Sequence, residues 1–265
     1  MIMANSRQPR SKPHALVVGG TRGAGRLAVR RLVAEGYRVS VLARNPPAPS
    51  KQKLRAVRYW QADLGDQASL EQAITAINAA RGSVDCIAFF QRFRGTADAW
   101  QGEIQTSLTG TRSLIELLVG KFNLRNAAIV IVSSVNASLI SKHLPLGYHV
   151  AKAGLNQIVR YYAVALGSRG IRVNSVSPGT FLKEESRDAV LSNAKLVALY
   201  QRIVPLARIG TADEVVDAVT FLAGSRSSFI TGQNLVVDGG LSLVFQEALA
   251  LELVPTGVSS PSAKK

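Results

Sequence analysis

A short, continuously apolar run, Ala15-Leu16-Val17-Val18, opens directly into Gly19-Gly20-Thr21-Arg22-Gly23-Ala24-Gly25. A helical pattern with Leu27, Ala28, Leu32 and Val33 on one face then runs to Gly36. Four consecutive apolar residues without polar alternation imply burial on both faces, the mark of a parallel strand inside a covered sheet. A second strand is expected over 38–42, so the beginning of the chain reads as a strand, a glycine turn, a helix and a parallel strand.

The alternation continues, with strands expected over 55–61, 85–90, 128–132, 172–176 and 234–237 and helices over 69–81, 104–121, 148–169 and 213–222. Strands separated by helices pair in parallel, and their crossovers cover both faces of the sheet. The expectation is an α/β, doubly wound, Rossmann-like parallel sheet in one domain spanning 14–254. Pro46, Pro47 and Pro49 shorten the connection after the second strand, where a further helix would otherwise stand. Residues 1–13 are polar and basic and read as a disordered arm, and 255–265 read as a flexible tail.

Composition narrows the partners. A chain of 265 residues holds one sizeable core. Its single cysteine, Cys86, offers neither a disulfide framework nor a thiolate metal site, and no metal is expected. Apolar stretches fall short of the ~18–20 residues that span a bilayer, and the start of the chain has no apolar signal core. A soluble, cytoplasmic protein without a membrane partner is expected. The net charge of +15 favours anionic ligands. The basic residues are spread along the chain with no arginine stripe interleaved with aromatics, so nucleic acid is not the expected partner.

The glycine turn has the context that phosphate binding requires, between a strand and a helix. Glycines let backbone approach a pyrophosphate closely, and the helix N-terminus supplies oriented N–H groups and partial positive charge. Gly19, Thr21, Arg22, Gly23, Ala24 and Gly25 are therefore candidate dinucleotide ligands. Further along, Tyr148 and Lys152 are four residues apart and share one helix face. An ammonium roughly 4–5 Å from a phenol, at an effective dielectric of ~20, favours the phenolate by about 3–4 kcal/mol, which makes Tyr148 a candidate acid/base. A solvated helix face is the plainer explanation of that pair taken alone.

More pieces follow in order: Asp63-Leu64 after the third strand, Val132-Ser133-Ser134 at a strand end, and Arg172-Val173-Asn174-Ser175-Val176-Ser177-Pro178-Gly179. The chain closes with Ile230-Thr231-Gly232-Gln233 and Val237-Asp238-Gly239-Gly240. Together with the glycine turn and the Tyr148/Lys152 pair, these resemble the short-chain dehydrogenase/reductase family, single-domain branch, and within it members like 3-oxoacyl-carrier-protein reductase. The resemblance runs from about residue 14 to 243. It implies that Ser134 polarises a substrate carbonyl, that Tyr148 protonates the resulting alkoxide, and that Lys152 activates Tyr148 and holds the nicotinamide ribose. The interval of 14 residues between Ser134 and Tyr148 is one longer than the commonest family pattern, a difference a loop absorbs.

The resemblance also bears on the cofactor. Family members specific for NAD place an acid at the end of the second strand, where this chain has Ala43 and then Arg44. Arg44 and Arg22, with no carboxylate between them, suit a 2′-phosphate and point to NADP(H). Asp63 and Leu64 are expected beside the adenine, although Asp63 equally suits capping of the following turn. After Pro178 and Gly179 the family presents backbone to the nicotinamide carboxamide, here at Phe181, and 180–204 resembles the substrate lid. Lys183 stands where a Thr is often found; Glu184, Glu185 and Lys195 read equally well as solvated lid residues.

Two segments depart from the family. Where Asn-Asn-Ala-Gly usually follows the fourth strand, the chain has Phe89-Phe90-Gln91-Arg92. Either Phe89 and Phe90 are buried strand residues with a rebuilt loop, or Phe90, Arg92 and Arg94 reshape the substrate pocket for an aromatic or anionic group, or Arg92 obstructs the nicotinamide. Ser107 replaces an Asn that holds a water in the family's proton relay, and a hydroxyl offers one donor and no amide carbonyl. Ser107 is thus a candidate relay residue or a plain helix residue. The expectation is an NADPH-dependent reductase of a ketone or aldehyde, or the reverse alcohol oxidation. Self-association as a dimer or tetramer is expected through 104–121 and 148–169, with 245–254 as a further docking segment. The alternative is a non-catalytic dinucleotide-binding scaffold or redox sensor.

Overall fold

The computed structural model describes residues 12–48, 55–95, 98–124 and 127–253. Most of the arm, the tail and Pro49 lie outside them. In chain order the elements begin with β1 (His14–Val18), α1 (Gly23–Ala34), β2 (Arg38–Ala43), β3 (Val57–Gln61), α2 (Gln67–Arg81) and β4 (Cys86–Phe89). Next come α3 (Ala99–Glu103), a π-helical turn (Ile104–Thr109), α4 (Gly110–Leu118), β5 (Ala127–Val132), α5 (Leu146–Gly167) and β6 (Ile171–Pro178). The chain ends with β7 (Phe181–Leu182), α6 (Arg187–Leu191), α7 (Ala194–Ile203), β8 (Gly210–Thr211), α8 (Ala212–Ala223), β9 (Asn234–Val237) and α9 (Gln246–Leu253). No helix among the described residues is long and apolar enough to cross a membrane.

Seven strands form one parallel sheet in the order β3-β2-β1-β4-β5-β6-β9. Alternate residues of each central strand feed two separate cores, as the pleat requires. Leu16 and Val18 of β1, Ile87 and Phe89 of β4, and Ile129 and Ile131 of β5 pack with α2, α4 and α5 through Ile74, Leu114 and Leu155. Ala15 and Val17, Cys86 and Ala88, and Ala128 and Val130 pack on the other side with α1 and α8 through Val29, Leu32, Val215 and Val219. The sheet is therefore doubly wound. Its strand order reverses between β1 and β4, and the crevice that opens at the carboxyl ends there is where such sheets bind ligands.

The continuous helix expected over 104–121 is instead a broken one that begins earlier. Asp98 caps its start, accepting from the Trp100 N–H at 2.8 Å. The π turn then inserts before Gly110, and a 3-10 turn at Val119–Lys121 ends the run. Close packing makes Gly110 necessary, since a Cβ there would lie 2.7 Å from the Leu64 Cβ. The Arg-Val-Asn segment of β6 is a tether. Arg172, buried, donates to the carbonyls of Leu222 and Gly224 at 2.8 and 3.0 Å and to Ser227 Oγ at 2.7 Å, tying the end of α8 to the sheet. Asn174 donates to the Ile230 carbonyl at 2.8 Å and accepts from the Gln233 N–H at 3.0 Å, which seats β9.

Replacing Arg172 by Leu strands the buried acceptors at the end of α8, and unmade buried hydrogen bonds cost about 1–3 kcal/mol each. Arg172→Leu is expected to lower unfolding stability by about 2–4 kcal/mol in urea titrations; an unchanged midpoint would contradict the tether.

Candidate active site

The glycine turn closes because side chains are missing from it. A Cβ on Gly25 would lie 2.3 Å from the Gly19 carbonyl oxygen, and one on Gly19 would lie 2.9 Å from the Gln91 nitrogen. Gly19 also holds a left-handed φ of +80° that side chains resist. Its N–H donates to the Leu42 carbonyl at 3.0 Å, pinning the turn between β2 and the loop after β4. Arg22 is the N-cap of α1 with extended backbone and makes no side-chain cap, so the helix start faces the crevice uncapped.

One cavity of about 760 Å³ gathers most of the residues singled out by sequence. Its lining includes Gly19, Thr21, Arg22, Gly23, Ala24 and Gly25 from the turn, Arg44 after β2, and Asp63 and Leu64 after β3. It also includes Phe90, Arg92 and Arg94 after β4, Ser134 after β5, Tyr148 and Lys152 on α5, and Pro178, Gly179 and Phe181 at the end of β6 and in β7. Ser107 is the exception. It is fully buried, does not line the cavity, and donates to Glu103 Oε2 at 2.9 Å.

Several side chains already have partners. Asp63 Oδ1 accepts from the Gly65 N–H at 2.9 Å, closing a tight turn. Ser134 caps a short helical turn, its Oγ accepting from the Asn136 N–H at 3.1 Å. Glu184 pairs with Arg26 of α1 at 2.5 Å and so fastens the 180–204 segment over the glycine turn. Phe89 is core, whereas Phe90 is half-buried and its Cβ stands 3.2 Å from where a Gly25 Cβ would be. Phe90 thus lies against the glycine turn.

The residues beside Tyr148 set its electrostatics. Lys152 Nζ donates to the Val132 carbonyl at 3.0 Å and sits 5.6 Å from the Tyr148 ring centroid. Arg92 Cζ lies 5.5 Å from the same centroid. Burial pulls the Lys152 ammonium down to about 8; Glu103 opposes that and Arg92 adds to it. Partial burial, then Arg92 and Arg94, lower the Lys183 ammonium, with Glu185 opposing. Burial lowers Arg94 too, joined by Arg22 and Arg92. The middle of the cavity is therefore strongly cationic.

Sequence reading missed Glu103, Gln91 and His149. His149 Nε2 accepts from the Ser141 N–H at 3.0 Å, which leaves Nδ1–H to donate to the Pro145 carbonyl at 3.1 Å, so the imidazole clasps the loop after Ser134 onto α5. Gln91 Nε2 donates to Thr111 Oγ1 at 2.8 Å, while its Oε1 is buried without a partner. Glu103 is a carboxylate buried four residues before Ser107, a spacing that places the two on one helix face.

These features fit a dinucleotide. Side chains on the glycines would fill the cradle they leave, the orphaned Oε1 belongs to Gln91 of the cavity lining, and Arg22 and Arg44 line the cavity and make no ion pair among the described residues. An acid already rests at the turn: Glu185 Oε1 comes within 3.5 Å of where a Gly23 Cβ would be.

Comparison with known proteins agrees. A family described as Enoyl-(Acyl carrier protein) reductase matches residues 18–242. The 3-oxoacyl-[acyl-carrier-protein] reductase of Staphylococcus aureus is 32% identical over 246 residues, covering 86% of this chain and 97% of the relative. Glucose 1-dehydrogenase of Gluconobacter oxydans is 30% identical over 249 residues, covering 86% and 91%. Among solved structures, the aldohexose dehydrogenase of Thermoplasma acidophilum superposes with a TM-score of 0.77 at 25% identity, covering 94% of this chain and 97% of that one. A gluconate 5-dehydrogenase from Burkholderia cenocepacia, in complex with NADP and tartrate, gives 0.76 at 25% identity, covering 88% and 96%. With the glycine turn, the Ser134, Tyr148 and Lys152 cluster and the switch-point crevice in one sheet, the chain belongs to the short-chain dehydrogenase/reductase family of oxidoreductases.

Proposed function

We propose that this protein is an NADPH-dependent reductase of a ketone or aldehyde, running in reverse as an alcohol dehydrogenase. The observation that carries the reading is the placement of Tyr148, with Lys152 Nζ and Arg92 Cζ 5.6 and 5.5 Å from its ring centroid, on the wall of the cavity that begins at the glycine turn. The reduced nicotinamide would supply hydride to the carbonyl carbon. Ser134 Oγ, at the carboxyl end of β5, orients the carbonyl oxygen, and Tyr148 gives its phenolic proton to that oxygen as negative charge develops there. Lys152 stabilises the phenolate left behind and hydrogen-bonds ribose hydroxyls. Val132, whose carbonyl accepts from Nζ, holds the ammonium at the carboxyl end of β5.

The 2′-phosphate of NADPH suits Arg44 and Arg22, since no acid follows β2 to favour ribose hydroxyls instead. The turn glycines with Thr21 and Ala24 would hold the pyrophosphate, Asp63 and Leu64 would border the adenine, and Pro178, Gly179 and Phe181 would meet the carboxamide. Arg92, Arg94 and Lys183 favour a substrate bearing a carboxylate or phosphate, with Phe90 as an apolar wall nearer the cofactor. The NADP named with the gluconate dehydrogenase structure supports the cofactor choice. We further propose self-association as a dimer or tetramer. Tyr161 and Val164 on α5, Leu235 and Val236 on the edge strand β9, and Phe229 and Phe245 are all exposed. Large apolar groups left in water on an edge strand and a helix face suit burial against a second copy.

Fluorescence titration is expected to show NADPH binding far tighter than NADH, with Arg44→Ala weakening NADPH about tenfold or more and leaving NADH unchanged; equal affinities would overturn the NADP assignment. In an NADPH-oxidation screen, carbonyl compounds carrying carboxylate or phosphate are expected to outperform neutral analogues. Tyr148→Phe should then cut kcat by about 10²–10⁴-fold with NADPH affinity intact. A wild-type protein that binds NADPH yet reduces nothing in a broad screen would instead favour the scaffold. Light scattering should give at least twice the mass of one chain, and a monomer at micromolar concentration would remove the interface.

A further inference from the structure

A buried carboxylate beside the cavity remains unexplained by the reading above. Glu103 ends α3 and is 3% exposed, Ser107 in the π turn is fully buried, and Lys152 is 4% exposed. Such burial denies these groups water as a counter-partner. Ser107 Oγ donates to Glu103 Oε2 at 2.9 Å, so the hydroxyl serves the carboxylate.

Small residues bring the two helical segments together. A Cβ on Gly147 of α5 would lie 2.9 Å from the Trp100 Cα of α3, and one on Gly154 would lie 2.9 Å from Leu108 Cδ2 of the π turn. Lys152 is on α5 between these two contacts, and Glu103 is on the facing segment between Trp100 and Leu108. No direct ion pair within 4.0 Å joins them among the described residues, so the attraction acts through space.

The rebuilt loop after β4 adds the opposing charge. Phe93 packs on α3, where a Cβ on Gly102 would strike its ring, and the neighbouring Arg92 reaches the Tyr148 ring. The Glu103 carboxylate of α3 thus favours the Lys152 ammonium and the Arg92 guanidinium of the loop opposes it, beside the Tyr148 ring of its own helix and the Val132 carbonyl of β5.

We propose that Glu103, held by Ser107, is a positioning residue that offsets the positive charge of Arg92 and keeps Lys152 protonated in the working enzyme. Glu103 acts on Tyr148 only through Lys152 and touches neither substrate nor cofactor. The apposition of α3 and the π turn with α5 stands apart from the proposed function; the catalytic consequence rests on the proposed role of Lys152. The sign follows from the charges. An acid favours the ammonium and a guanidinium disfavours it, so loss of Glu103 moves Lys152 deprotonation to lower pH and loss of Arg92 moves it to higher pH.

The test reads Lys152 directly in the cofactor-free protein, by NMR titration of lysine labelled with ¹³C at Cε, with the resonance assigned through Lys152→Met. Glu103→Gln is expected to lower the Lys152 midpoint by about one pH unit, Arg92→Gln to raise it, and the double variant to return it close to wild type. Glu103→Asp, which keeps the charge, should stay near wild type. If Glu103→Gln does not fold, the exposed Arg92→Gln alone still decides, because an unmoved midpoint there removes the charge balance. An unmoved midpoint in Glu103→Gln overturns the proposal even if the protein proves an active reductase. Where turnover is measurable, the alkaline limb of kcat in Glu103→Gln should shift to lower pH, whereas a purely structural defect would lower kcat evenly at every pH.

Discussion

Burying one ammonium organises this site. Lys152 is enclosed where α5 crosses the carboxyl end of β5, and its ammonium donates to the Val132 carbonyl at 3.0 Å. A desolvated charge in such a place is costly unless surrounding dipoles and charges compensate it. The carbonyl and the Tyr148 ring lie beside it, and the Glu103 carboxylate acts against the cost of burial without cancelling it. The glycines of α5 let α3 and the π turn come close enough to take part. Moving any of these elements would leave the ammonium less favourable, so the orientation of Tyr148 and the packing of two helices are linked through one side chain.

The same crevice is held open by absence of side chains at its other end. Gly19 and Gly25 leave no room for a Cβ against the backbone of each other and of Gln91, so the turn, α1 and the loop after β4 form one rigid corner. Large residues entering that loop do not disturb it because they are divided between environments. Phe89 joins the core beneath the sheet, Phe90 leans on the glycine turn, and Phe93 packs on Gly102. Arg92 and Arg94 remain on the cavity wall. The result is a crevice at the switch point whose wall carries Arg92, Arg94 and Lys183.

Most of the architecture was legible because it follows local rules. Uninterrupted apolar runs such as 15–18 and 128–132 signalled strands buried on both faces, and each proved to send alternate residues to two cores. The helix over 104–121 was read less well. Its periodicity resembles an ordinary helix, and no local pattern reports the π turn, whose Leu108 packs on Gly154 of α5. Likewise, Arg172 and Asn174 read as part of a family signature, while their hydrogen bonds to α8 and β9 depend on elements about fifty residues or more away.

By itself the sequence determined the α/β class, the place of the glycine turn and the order of the seven main-sheet strands, because backbone conformation and burial leave periodic traces in neighbouring residues. It also carried the family, through motifs whose spacing survives loop changes. Only the tertiary structure decided which side chains share the cavity. It withdrew Ser107 to Glu103, closed Asp63 onto its own turn, set His149 to clasp the Ser134 loop, and placed Arg92 across the Tyr148 ring from chain segments far apart. The reason is physical: charge and hydrogen-bond partners act through space, and residues remote in the chain become neighbours only after the sheet and its helices have packed.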